Sequence, residues 1–201
     1  ETGLGPAEIA AQRAEIRTIA AEMADFELLH GLEVGILPDG QLDCPASILD
    51  EVDFVIAAVH EAHDQDPATL TARLERAVAD PHTTILAHPT GRRIFIREPA
   101  AIDLGRVLGA CREHGVAIEV SGDPERLDLD WLGCRRAHDA GCTVVLNPDA
   151  RSAAGLANTV FALATARRGW IEAREVMNTR RWDGGSRLAT TQRGRTGGRS
   201  T

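Results

Sequence analysis

Five short apolar runs in this chain each carry, at or near their end, a residue able to hold a metal ion. ELLHGLEVGI contains Glu33, DFVIAAVH ends at His60, TTILAHP carries His88, VAIEVSG contains Glu119, and CTVVLNPD ends at Asp149. Each run has the length and the Val/Ile content of a buried strand, and helical patterns follow most of them. Such alternation specifies an α/β fold with a parallel sheet, because parallel strands need long crossovers that helices usually supply. In a barrel of parallel strands the C-terminal ends converge on one open face. Five acids and imidazoles in equivalent places therefore predict a polynuclear metal site on that face.

The remaining pattern fills in the crossovers. Ile9, Ile16, Ile19, Ala20 and Met23 recur at helical spacing and predict one amphipathic helix over Pro6 to Phe26. Further helices are expected over Pro45–Glu51, Pro67–Ala79, Ile102–His114, Asp130–Ala140, Ala153–Arg168 and Glu172–Asn178, with Gly115 and Gly141 as C-terminal stops. Asp39-Gly40 marks a turn. PTGRRIFIREP and SGDPERLD read as loops at the open face. Five strands are too few for a closed eight-stranded barrel, and a helix leads directly into the first one. The expected architecture is a distorted (β/α) barrel, incomplete because its first strands are missing. Residues 1–179 form one N-terminally truncated domain in this reading, and 180–201 a basic, disordered tail.

Composition narrows the setting. The 201 residues are 43% hydrophobic and 26% charged, as in a globular domain with one core. No apolar run approaches the roughly 20 residues of a membrane span, and the N-terminus lacks a secretory pattern. Cys44, Cys111, Cys134 and Cys142 show no CxxC spacing, which favours reduced thiols and a cytoplasmic location. The formal charge is −8, but from Arg180 onward six arginines face one aspartate, leaving about −13 on the body. An acidic body disfavours indiscriminate phosphate binding.

GLEVGILPDGQLD, FVIAAVH, LAHPTGR, AIEVSGDPERLDL, NPDARS and ARRGW…VMNT, in that order and spacing, resemble the PHP (polymerase and histidinol phosphatase) domain. The nearest likeness is to the PHP domain at the C-terminus of bacterial family X DNA polymerases, over about Ala7 to Asn178. The resemblance implies a distorted barrel binding up to three divalent metals, manganese or zinc, and hydrolysing phosphoesters. It implies Glu33 as a carboxylate bridging two metals, His60 and His88 as ligands of one, and Asp149 as ligand of the other, with Glu33 and Asp149 as the catalytic carboxylates. The implied substrate is a DNA 3′ end, giving 3′–5′ exonuclease or 3′-phosphatase activity in DNA repair beside a polymerase domain. A small phosphoester, as for histidinol phosphatase, is the alternative.

Departures from the pattern set against this a degenerate, non-catalytic module. The family's H-x-H strand and D-H-S histidine would lie upstream of this sequence. Its D-A-H-S is here Asp149-Ala150-Arg151-Ser152, and a guanidinium cannot replace an imidazole ligand. Gly35 and Ser121 stand where Asp and Asn are usual. The ligand count predicts weak hydrolysis, or none, by this chain alone.

Each candidate also has a structural reading. Glu33 in an apolar strand needs a cation, metal or Arg. His60 and His88 are core histidines or ligands. Asp149 is a ligand or the N-cap of the next helix. Glu119 is expected to pair with Arg92 or Arg126 rather than to bind metal. Arg92, Arg126 and Arg151 are surface residues or phosphate binders. His63 is expected in a solvated loop, and His30, His82, His114 and His138 at surface or helix-end positions. Arg167, Arg168 and Trp170 are expected to close the last helix.

Overall fold

The computed structural model describes residues 3–180; the basic segment beyond Arg180 lies outside them. Helix α1 (Pro6–Ala20) precedes five strands, β1 (Gly31–Gly35), β2 (Phe54–Ala58), β3 (Thr83–Leu86), β4 (Ala117–Ser121) and β5 (Val144–Asn147). Between them run α2 (Ala46–Leu49), α3 (Pro67–Ala79), α4 (Leu104–His114) and α5 (Trp131–Ala140), and α6 (Thr159–Arg168) follows β5. The strands form one parallel sheet in the order β1-β2-β3-β4-β5, an open sector of a (β/α) barrel.

Local chemistry sets most element ends. Asp66 caps α3 through the amides of Ala68 and Thr69, both at 3.0 Å, with Pro67 in the first turn. Asp103 and Asp130 cap α4 and α5 through the amides of Arg106 and Gly133. Gly115 and Gly141, at φ 64° and 69°, end those helices in the left-handed conformation expected of them.

Three expected helices differ. The first stops at Ala20, where i→i+3 bonds from Glu22 and Met23 tighten the chain into turns. It buries only Ile9 fully, while Ile19, Met23 and Phe26 stay exposed, so packing does not extend it. The helix expected from Ala153 opens as a 3-10 turn, Ala154–Asn158, because Gly155 weakens a continuous α-helix there. Glu172–Asn178 resolves into two 3-10 turns, Ala173–Glu175 and Met177–Thr179.

Period-two alternation divides the sheet into two faces. The outer face packs Leu86, Ile118, Val144 and Leu146 against α3–α6. The inner face carries the smaller cluster Ile85, Ala117, Val145 and Met177. Register places Glu33 beside Ile56, Ile56 beside Ile85, and Glu119 beside Val145, so both carboxylates share the inner face. At the β5 edge, Asn178 substitutes for a neighbouring strand: its amide exchanges hydrogen bonds of 2.8 and 3.0 Å with the Leu146 backbone.

Gly122, just past β4, lets the Ala154–Asn158 turn approach closely. A Cβ there would lie 2.3 Å from the Asn158 carbonyl oxygen. We expect Gly122→Ala to lower stability by about 1–3 kcal/mol through this overlap. An unchanged urea midpoint would refute that packing.

Arg168 and Trp170 make ring contacts between α5 and the end of α6, and Arg167 is exposed. The Arg168 guanidinium lies 4.9 Å from the Trp131 ring centre, and that of Arg135 lies 4.6 Å from the Trp170 ring. All four cysteines are free, and three are buried. No described helix is long and apolar enough to cross a membrane.

Candidate metal centre

Three of the five strand-end residues meet. Glu33 Oε1 lies 2.8 Å from His60 Nε2 and 3.7 Å from His88 Nε2. One donor atom from each residue falls within 4.8 Å of the other two. Glu33 projects from the middle of β1, while each histidine stands two residues beyond its strand, where the chain turns over the inner face. His88 is buried; Glu33 and His60 are exposed.

The electrostatics follow from this contact. Hydrogen bonds from His60 and His88 hold the Glu33 carboxyl well below the usual carboxylate range, against the opposing effect of burial. Burial by itself would lower the His88 imidazole. The hydrogen bond to Glu33 and the field of Glu119 outweigh it and leave the group raised. Cluster and charge are mutually supporting: an ionised carboxylate sits between two imidazole rings that donate to it.

A second layer of acids holds His88 in place. Glu119 is fully buried and accepts from the His88 backbone N–H at 2.8 Å and the Asn147 side-chain amide at 2.7 Å. Asp128, also buried, accepts from the Thr90 N–H at 3.0 Å. The turn is closed by Gly91 N–H on the His88 carbonyl, 2.8 Å. Within it His88 has φ 26°, a conformation disfavoured for any side chain bearing Cβ. Strain of this kind persists only where neighbours over-determine the backbone, and two buried carboxylates do so here.

The expected Glu119–arginine pair is not formed. Arg92 instead donates to the carbonyls of Arg126, at 2.9 Å, and Leu127, joining the loops after β3 and β4. Arg126 Nε is 3.4 Å from Asp149 Oδ2 and 3.7 Å from Asp123. Asp149, at φ 50°, therefore stands outside the three-residue cluster, ion-paired to Arg126. It does not cap the following turn, whose N-cap is Ala153. Arg151 is exposed beyond it.

Other assignments change with the tertiary structure. His63 is half-buried, with Nε2 3.2 Å from the His60 carbonyl and its ring against Gly91, not solvated. His30 is buried and bonded to Gln12. Sequence reasoning passed over Asn147, Asp128 and Arg73. Arg73 is buried and donates to the carbonyls of Ile36, Glu61 and Ala62, fastening the loop after β2. The alternation Leu127-Asp128-Leu129 was the available signal for a buried Asp128; nothing local marks Arg73.

Two imidazoles and one carboxylate make the donor set of an open divalent-metal site, with positions left for water or substrate. The residues present fit such an ion: the donors are already gathered, and Glu33 is ionised.

No family model matches the chain. It is 37% identical over 178 residues to the DNA polymerase/3′-5′ exonuclease PolX of Bacillus subtilis, covering 89% of this chain and 31% of that protein, its C-terminal PHP region. A probable phosphatase of Caldanaerobacter subterraneus is 29% identical over 65% of this chain and 48% of its own length. Another, from Thermoanaerobacter sp. strain X514, is 27% identical over 82% and 69%. The chain thus spans about a third of the polymerase and half to two thirds of these phosphatases.

Proposed function

This chain belongs with the PHP domains of bacterial family X polymerases and their phosphatase relatives, and from that premise we propose that it is a metal-dependent phosphoesterase domain acting on DNA 3′ ends. The observation that carries the reading is the convergence of Glu33, His60 and His88 on one point of the inner face. Manganese or zinc held by these three residues would acidify a bound water and stabilise charge on a phosphoryl oxygen.

The chain's own groups supply the rest. Glu33 brings the negative charge, and its low proton affinity keeps it a ligand through the physiological range. His88 is positioned by Glu119. Asp149 is the carboxylate placed to take part beside a second cation, and Arg126 holds its charge meanwhile. Arg92, Arg126 and Arg151 are the substrate-binding arginines of this reading. Arg92 spends two donors on backbone carbonyls, and Arg126 lies against Asp149 and Asp123. The partner is a polymerase domain and its DNA. Four free cysteines agree with a reducing, cytoplasmic setting.

The test is direct. Elemental analysis and manganese titration should find a divalent ion in the purified chain. Manganese should promote at most slow hydrolysis of a chromogenic phosphodiester or slow shortening of a 3′-labelled oligonucleotide, as the three gathered ligands imply, and a chelator should stop it. A chain that holds no divalent cation would overturn the reading.

A further inference from the structure

The loop after β3 folds into a small hairpin. Arg93 and Arg97 pair across it, with backbone bonds of 2.9 and 2.7 Å. Ile94 N–H on the Glu125 carbonyl, 2.7 Å, ties it to the loop after β4. Arg97 Nε on the Gly91 carbonyl, also 2.7 Å, ties its base to the turn that carries His88. At the tip Phe95 is 105% exposed and Ile96 is 71% exposed. Phe95 has φ 64°, a region an aromatic residue rarely enters. A ring left wholly in water on a strained backbone contributes nothing to the core, so packing does not account for it.

Cations crowd the hairpin base. Arg93 pairs with Glu125, and Arg126 with Asp149 and Asp123. Among the described residues no carboxylate oxygen lies within 4.0 Å of an Arg97 nitrogen. Burial, and then the fields of Arg126 and Arg93, lower its proton affinity. Asp128, the acid nearest in effect, is buried and accepts from the Thr90 N–H through Oδ2. Gly91, which Arg97 grips, packs against His63, and His63 contacts the His60 carbonyl. Arg97, which has no ion-pair partner among the described residues, is therefore joined to both histidine loops of the metal centre.

We propose that this hairpin holds the terminal unpaired nucleotide of a single-stranded nucleic acid, Phe95 stacking on its base and Arg97 taking its phosphate beside the Glu33–His60–His88 cluster. The proposal rests on the phosphoesterase reading and deepens it. Every base offers a face to an aromatic ring, so stacking needs no sequence preference. An apolar protein surface could cover Phe95 and Ile96, but it would desolvate Arg97 without a counter-charge. A phosphate supplies that charge.

Binding is to be read on the full chain in chelator, so that no hydrolysis intervenes, with a single-stranded DNA decamer carrying 2-aminopurine at its 3′ end. Wild type should alter the probe's fluorescence. Phe95→Ala should weaken binding about tenfold and lose the stacking signal, and Phe95→Trp should restore both. Arg97→Gln should weaken binding and flatten its salt dependence by about 0.7 in log–log slope, the share of one phosphate contact. Because Phe95 is fully exposed, its replacement leaves folding intact. Wild-type affinity in Phe95→Ala would overturn the proposal, and so would a duplex bound as tightly as the single strand. Either result leaves the phosphoesterase reading standing, since manganese titration tests that separately.

Discussion

Glu33→Ala is expected to abolish specific divalent-cation binding, with manganese affinity falling by at least about a hundredfold in calorimetry. Loss of a group that merely orients a ligand already costs about 10–100-fold, and Glu33 is the only carboxylate in the cluster. Without it, two imidazoles 6.2 Å apart remain, with no anionic oxygen between them. Glu33→Gln keeps the shape and removes the charge, so it should fall between. Binding should also weaken in acid. His88 must shed its proton to ligate, and its proton affinity is raised, so protons compete first there, while Glu33 stays ionised. Equal manganese binding by wild type and Glu33→Ala would remove the cluster from the account.

The second large effect concerns Glu119 and pH. Burial pushes its carboxyl up to about 7, despite the opposing field of His88 and the hydrogen bond from Asn147. From an unfolded value near 4.5 up to about 7, the folded chain keeps a proton that the unfolded chain has lost. Stability should therefore fall as pH rises through that window, by up to about 3 kcal/mol. His88 acts in the same direction at higher pH: its raised proton affinity stabilises the fold below 6.5, and that contribution is lost as pH rises through its folded value. Glu33 acts oppositely in strong acid, its stabilisation being lost as pH falls through its depressed value. The metal-free chain should thus be most stable in mild acid. Glu119→Gln should flatten the slope between pH 5 and 7. Gln can still accept from the His88 N–H, and a rotated Asn147 amide can accept from its NH₂ group. Urea unfolding in chelator at pH 5 and 8 measures both proteins. A wild type equally stable at both values would contradict the buried, protonatable Glu119.

The strands, their parallel order, and the ends of α3, α4 and α5 were legible along the chain. They depend on apolar runs, aspartate caps and glycine stops, all of which act within a few residues. Glu33, His60 and His88 could be selected for the same reason: a charged or imidazole group within or just beyond an apolar strand is anomalous wherever the strand lies. The ends of α1 and the start of α6 were less legible, because packing, or its absence, decides whether a weak helical segment persists.

Partnerships were not legible. Glu119 was expected to meet an arginine, yet it meets a backbone amide and Asn147, because strand register sets its neighbours. Asp149 lies 3.4 Å from Arg126, a pairing that no local pattern marks. Phe95 read as one apolar residue in a mixed loop; only the hairpin reveals that it faces water. The sequence by itself determined which residues could carry charge into an apolar sheet. The tertiary structure alone decided which of them share a pocket, because pairing across strands 27 or 31 residues apart depends on register and crossover geometry that no local pattern encodes.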